Sequence, residues 1–287
     1  MDYLLKIVKT SRPLIWVNHF TFFTYGGLQV HNFHLNSFQF TLGLLIFSLP
    51  FSLFIYAIND YYDLKTDLLN PRKGAIFGEK HDVSSLKYLK TWGFAGLAVS
   101  LILAGFMGIA VLITMIMLSI LLYLYSAFPL RLKSVPVLDT LVGGALYSYL
   151  IVVIGYLAFA GNQAQFADIL KPPFIFFGLF GLGVHLFGAV VDIDPDRKDN
   201  IRTSAVFFGI NKIVSFCIVV FLICLYLARS SSLFLFFVSI SILISCFYYS
   251  AKWRKNIFLL TLIAYLSLVF FAITILLYFI SPSLLRF

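Results

Sequence analysis

The sequence predicts an all-α protein that crosses a membrane nine times, with its N-terminus in the cytoplasm. Three observations carry that prediction. The first is composition: of 287 residues 61% are hydrophobic and 11% charged, and mean hydropathy is +0.97. Soluble domains carry about 25% charged residues, and a soluble fold of this size leaves too much surface in water to hide so many apolar side chains. The second is length, because apolar runs recur at the roughly 20 residues a helix needs to cross the hydrocarbon core. The third is the placement of the 21 Lys and Arg against the 12 Asp and Glu. Together they exclude a soluble enzyme, a disordered chain and a disulfide scaffold.

Taken in order, the first span is about Pro13–Leu28. Lys6, Lys9 and Arg12 before it imitate a signal peptide, but no small-x-small cleavage site follows, and Asn18 and His19 interrupt the apolar run. It is therefore read as an uncleaved span. The second is Phe38–Ile58. The third and fourth, Leu89–Gly108 and Ile109–Phe128, form one stretch too long for a single helix, so a tight turn is expected near Gly105–Gly108. The fifth is Leu138–Ala160, the sixth Pro172–Val191 and the seventh Ile213–Ala228, short like the first. Leu233–Ser250 and Ile257–Ile280 complete the nine, and residues 1–287 read as one domain. Cys217, Cys224 and Cys246 lie in apolar runs without C-x-x-C spacing, as core or lipid-facing thiols do.

Orientation follows from the connecting segments. Eighteen basic residues fall on the side of the N-terminal tail, among them Lys65, Arg72, Lys73, Arg131, Lys133, Arg197, Lys198 and Arg202. Only Lys171, Arg229 and Arg286 fall on the other. The excess positive charge is thus explained by topology and anionic lipid headgroups, not by a nucleic-acid partner. The expected location is a membrane crossed many times, with the N-terminal side in the cytoplasm.

Eleven of the twelve acids share the basic side, Asp168 being the exception, and seven crowd into two stretches, each following a span. The first reads Asn59-Asp60-Tyr61-Tyr62-Asp63-Leu64-Lys65-Thr66-Asp67. If the helix continues, Asn59, Asp63 and Asp67 stack on one face. The second reads Asp192-Ile193-Asp194-Pro195-Asp196-Arg197-Lys198-Asp199. There Asp192, Asp196 and Asp199 share a face and Asp194 points elsewhere, although Pro195 disfavours helix at Asp194. Like charges on one face repel, which calls for a cation between them. Hard carboxylate oxygens suit magnesium, commonly held by one or two carboxylates plus phosphate oxygens. Two such clusters facing each other would grip a magnesium-bound diphosphate. Arg72 and Lys73 after the first cluster, Arg197, Lys198 and Arg202 with the second, and Arg131 and Lys133 after the fourth span offer phosphate-binding cations.

These strings resemble the UbiA superfamily of intramembrane prenyltransferases. The match rests on N-D-x-x-D-x-x-x-D after the second span, D-x-x-x-D after the sixth, Ser11-Arg12-Pro13, Tyr125-x-x-x-Pro129-x-Arg131-x-Lys133, and Ile201-Arg202-Thr203 through Gly209. The resemblance implies a helical horseshoe around a lipid-open cavity, with Mg2+ bridging both motifs to an isoprenyl diphosphate (dimethylallyl diphosphate or longer). By motif position Asp63, Asp67, Asp192 and Asp196 are the catalytic carboxylates and, with Asn59, the magnesium ligands. Asn59, Arg72, Lys73, Arg131, Lys133 and Lys198 would bind the diphosphate.

Many superfamily members follow the first motif with something like R-P-L-P-S-G. Here Asn70-Pro71-Arg72-Lys73-Gly74 stands instead, with Ser11 through Asn18 and Asp192 through Arg197 similar to the lycopene elongase branch. That implies a carotenoid acceptor in the membrane, with an aromatic quinone precursor or a glyceryl-phosphate ether lipid as alternatives. The second motif departs from the family pattern at Pro195 and at Asn200, where Gly is frequent.

Three further residues bear on the site. His185 lies seven residues before Asp192 on the same helical face, where it could contact substrate, and Asn18 could touch acceptor or diphosphate. Asp139 opens the fifth span and reads as a helix N-terminal charge. A transporter is the remaining alternative, since acids within membranes mark ion pathways. Transporters place them near the midplane, often in inverted repeats, whereas every clustered acid here stands at a span's end and no repeat is evident.

Overall fold

A computed structural model describes residues 2–31, 33–69 and 79–227. It is helical throughout these residues: α1 Asp2–Thr10, α2 Pro13–Leu28, α3 Phe38–Phe47, α4 Leu49–Leu69, α5 Leu86–Met107 and α6 Ile109–Ser126. Then follow α7 Leu138–Thr140, a π-helical segment Leu141–Leu146, α8 Tyr147–Ala160, α9 Pro172–Val191, α10 Ile193–Lys198, α11 Ser204–Phe208 and α12 Ile210–Leu227. Six helical stretches among the described residues are long and apolar enough to cross a membrane, and they correspond to the second through seventh expected spans. The first expected span is a helix with the anticipated bounds but is only 16 residues long. The eighth and ninth lie outside the described residues.

Several boundaries moved, each for a local reason. The second span is two helices, broken at Ser48 (ψ −123°), because Pro50 has no N–H to donate and disfavours helix at the residue before it. The expected turn between the third and fourth spans is Gly108, at φ +124°, a conformation only glycine adopts without strain. The seventh span begins at Ile210, right after Gly209 at φ +81°. Across the fifth span the helix widens into a π turn over Leu141–Leu146, a distortion that often marks a functional site.

Close packing rests on small residues. A methyl group added at Gly26 of α2 would stand 1.9 Å from the Val152 carbonyl oxygen of α8, and one at Gly155 of α8 would stand 2.0 Å from that of Phe23. Each helix thus offers a glycine where its partner's backbone arrives, the arrangement that brings helices together in lipid. Phe23, Phe47, Phe51, Phe54 and Phe176 fill the interior, while Ile102, Phe106, Ile113, Met117 and Ile120 are exposed along α5 and α6. An apolar outer face of that kind suits contact with hydrocarbon. At the end of the bundle where α2 begins and α4, α6 and α9 finish, the interior opens into a cavity.

Candidate active site

The cavity, about 460 Å³, is lined by Asn59, Asp63 and Asp67 from α4 and by Asp192 and Asp196 from the α9–α10 junction. It is smaller than a hollow of about 790 Å³ at the opposite end, lined by residues such as Gln29, Asp168 and Lys171. Size does not decide between them. The smaller one gathers the chemistry.

Helix α4 runs unbroken to Leu69, so the four-residue spacing does place Asn59, Asp63 and Asp67 on one face. Asn59 Nδ2 donates to Ser126 Oγ at 3.4 Å. Asp63 is buried and accepts from Arg131 at 2.9 Å and from the Lys133 ammonium, itself buried. A carboxylate withdrawn this far from water needs such partners, because an unpaired buried charge is very costly. Asp60 faces away from this cluster and accepts from Arg12 at 2.8 Å, with His81 Nε2 at 3.5 Å. Arg12 lies over the Tyr56 ring at 4.3 Å and also lines the cavity. Burial, the largest single influence on the Arg12 guanidinium, lowers its pKa, but the charges of Asp60, Tyr56 and Asp67 and the hydrogen bond to Asp60 together raise it above the ordinary value. Both arginines that reach α4 have positive φ, 53° at Arg12 and 36° at Arg131, strain of the sort that functional sites retain.

The second segment is built differently. Asp192 closes α9 (φ −91°, ψ 1°) and α10 starts one residue later, so Pro195 falls in a first turn, where its missing N–H costs nothing. Asp196 N–H donates to the Asp192 carbonyl at 2.9 Å, and Ile201 N–H to that of Asp196 at 2.8 Å. Asn200 takes φ 56°; asparagine tolerates that left-handed region better than other non-glycine residues, which accounts for its presence where Gly is frequent. Thr203 caps α11 and also donates to Asp196 Oδ2 at 3.4 Å.

Asp139 stands in the first turn of the fifth span, as expected, and does more than that position implies. It is fully buried and serves another helix than its own: Oδ2 accepts from Ser204 N–H at 2.8 Å and Oδ1 from the Ser204 hydroxyl. It fastens the chain leaving the second segment to the start of the fifth span. Sixty-five residues separate the two, so no local pattern announces the pair.

Of the other expected residues, His185 lines the cavity, its Nε2 3.5 Å from Tyr125 Oη. A methyl group at Gly143 of the π segment would stand 2.7 Å from the His185 ring, so that glycine makes room for it. Asn18 is half-buried on α2 and does not line the cavity. Lys198 is exposed on α10, and Asp194 is exposed as expected. Arg72 and Lys73, with the Asn70–Gly74 string, lie outside the described residues. Arg12, Tyr56, Tyr125 and Tyr147 join the lining without having been singled out for it. Arg12 stands in the Ser11-Arg12-Pro13 string and Tyr125 opens the Tyr125-x-x-x-Pro129-x-Arg131-x-Lys133 string; Tyr56 and Tyr147 have no local signal.

Among the described residues, no three His, Cys, Asp or Glu side chains converge closely enough to hold a metal by themselves. Yet four carboxylates and an amide line one cavity. Hard oxygen donors spread around a space, not closed into a cage, fit a magnesium ion that keeps waters and takes other ligands from a phosphate-bearing substrate.

Comparison with known proteins gives the family and the fold. A model of the UbiA prenyltransferase family matches residues 20–257. A lycopene elongase/hydratase from Corynebacterium glutamicum is 26% identical over 226 residues, covering 78% of this chain and 76% of that protein. One from Haloarcula japonica is 33% identical over 180 residues, covering 62% and 58%. A UbiA homologue from Archaeoglobus fulgidus, solved bound to DMAPP and Mg2+, has the same fold, with a TM-score of 0.70 at 23% identity over 93% of this chain and 96% of that one. With the family model covering most of the chain and the two aspartate segments meeting in one cavity, this integral membrane protein belongs to the UbiA prenyltransferase family.

Proposed function

We propose that the protein transfers an isoprenyl group from an allylic diphosphate to an uncharged polyene of the membrane, a carotenoid such as lycopene. The observation that carries the reading is the meeting of both aspartate segments with Lys133 and Arg12 around one cavity. Asp63, Asp67, Asp192 and Asp196, with Asn59, would hold magnesium, which when bound acts as a Lewis acid on the leaving diphosphate. Arg131 and Lys133 stand ready for the diphosphate oxygens, held meanwhile by Asp63. Arg72, Lys73 and Lys198 keep that role as proposals from motif position.

The acceptor follows from what surrounds these charges. An anionic acceptor would need a cation of its own in the cavity, but among the described residues the two cations lining it are already engaged, Arg12 with Asp60 and Lys133 with Asp63. The rest of the wall offers apolar contact from Ile15, Ile55, Leu122 and Ala189. An uncharged polyene needs no more. The relatives named lycopene elongase/hydratase favour the same acceptor, and the neighbour bound to DMAPP and Mg2+ favours a short allylic donor.

Purified protein is to be assayed with labelled five-, ten- and twenty-carbon diphosphates against lycopene, a phenolic acid and a glyceryl-phosphate lipid. The reading expects lycopene products heavier by one or two five-carbon units, and no turnover in excess chelator. Clean prenylation of the phenolic acid or the glyceryl phosphate, with lycopene unchanged, rejects the acceptor and keeps the family. The proposed orientation, with the aspartate end in the cytoplasm, expects a cysteine at Asn162 to react with an impermeant reagent from outside intact cells and one at Ser84 not to.

A further inference from the structure

Inside the bundle, one imidazole has no part in the diphosphate site. His19 is fully buried on α2. Its Nδ1 lies 3.1 Å from the Phe47 carbonyl oxygen and 3.1 Å from Ser52 Oγ, and Ser52 Oγ is 3.3 Å from the same carbonyl. A carbonyl oxygen only accepts, so Nδ1 carries the proton and Nε2 keeps its lone pair. That lone pair faces the Tyr147 hydroxyl, which is therefore the donor. Tyr147 and Tyr56 both line the cavity beside Asp63 and Asp192. The helix break after Phe47 presents the carbonyl that sets this tautomer. The result is a base one hydroxyl removed from the cavity wall and shielded from water.

The proposed reaction has a use for such a base. Joining an allylic cation to a carbon–carbon double bond leaves a tertiary carbocation on the acceptor, and an alkene product forms only when a neighbouring carbon gives up a proton. We propose that Tyr147, backed by His19, takes up that proton and so selects the alkene over the product of water capture. This rests on the polyene reading above. The C–H bond beside the cation breaks and its electron pair closes the new double bond. The proton goes to the Tyr147 oxygen while the Tyr147 proton moves to His19 Nε2. It then returns along the same path to an oxygen of the released diphosphate and departs with it, leaving both side chains as they began. Tyr147 is the catalytic group here, and His19 acts through it as a positioning residue. His185 also lines the cavity, but its Nε2 lies 3.5 Å from the Tyr125 hydroxyl, and among the described residues no carbonyl oxygen is hydrogen-bonded to its ring to set its tautomer.

The test measures diphosphate released and the ratio of alkene-terminated to hydroxylated product, using the full chain in lipid vesicles with labelled dimethylallyl diphosphate, magnesium and lycopene. Tyr147→Phe removes only the hydroxyl. His19→Asn keeps an N–H for the Phe47 carbonyl but has no basic nitrogen, so a purely structural role would survive it. Both variants are expected to bind the donor within about two-fold of wild type and to release diphosphate, while alkene product falls about a hundred-fold, the lower end of what a positioned base supplies. An unchanged ratio in Tyr147→Phe overturns the inference, and that variant decides alone should His19→Asn fail to fold. Loss of alkene in His185→Asn with none in the other two also overturns it, assigning the proton to the other imidazole. If wild type leaves lycopene untouched and prenylates another acceptor, the polyene reading fails first and takes this one with it. If wild type extends lycopene but the ratio ignores both substitutions, only this inference fails.

Discussion

Asp63 sits on an unbroken helix and is held by cations from residues 131 and 133, whereas Asp192 sits in a break between helices whose onward chain is fastened by another carboxylate, Asp139. The first segment is seated by ion pairs to Asp63, the second by a backbone turn and by the Asp139–Ser204 bonds that follow it. In the first, the partners of the carboxylate are also the groups proposed to bind the diphosphate, so substrate and protein compete for the same cations. In the second, the fastening lies behind the segment and can stay in place while ligands come and go. The difference teaches that two similar motifs can fail for different reasons, electrostatic in one and geometric in the other.

The largest effect expected is on turnover. Asp63→Ala and Asp192→Ala each lower it by about 10³-fold or more, since charge on the leaving diphosphate is then balanced from one side only. Their stabilities are expected to diverge. Asp63→Ala strands Lys133 and Arg131 and costs about 3 kcal/mol, measured by denaturation in detergent, and equal stability of the two variants would break the comparison. Next, Lys133→Met is expected to reduce turnover by about 10²-fold and to weaken donor binding in a titration. Wild-type donor binding would remove Lys133 from the diphosphate site.

Asp139→Ala probes the geometric side. It leaves the Ser204 N–H and hydroxyl without their acceptor, at a cost of about 2 kcal/mol, and the donor KM rises although no residue contacting the donor has changed. A KM equal to wild type would show that the second segment keeps its place unaided. The smallest effect is at Asn200. Asn200→Gly is expected to shift stability by less than about 0.5 kcal/mol, while Asn200→Val costs about 1–2 kcal/mol because a β-branched residue resists positive φ. Equal thermal midpoints for these two variants would remove backbone conformation from the account of the second segment.

Much of this molecule follows from local pattern. Six spans, the glycine turn at Gly108 and the one-face spacing of Asn59, Asp63 and Asp67 are periodicities of neighbouring residues, and a helix turns such spacing into a shared face whatever else the chain does. The aspartates and the Arg131–Lys133 pair were legible for the same reason, as charge concentrated at the ends of apolar runs. Where Asp60 turns, what Asp139 fastens and why His19 is buried were not. Their partners are 48, 65 and 128 residues away. Such contacts exist only after helices pack, and packing depends on where a glycine lets two backbones touch, as at Gly26 and Gly155, and on where a proline interrupts a helix, as at Pro50. The sequence by itself determined which acidic and basic side chains stand at the span ends, the groups proposed to bind a metal and a diphosphate. The tertiary structure decided which cation each carboxylate meets and which tyrosine faces the imidazole, because hydrogen bonds and ion pairs require approach to about 3 Å, and only the packed bundle sets distances on that scale.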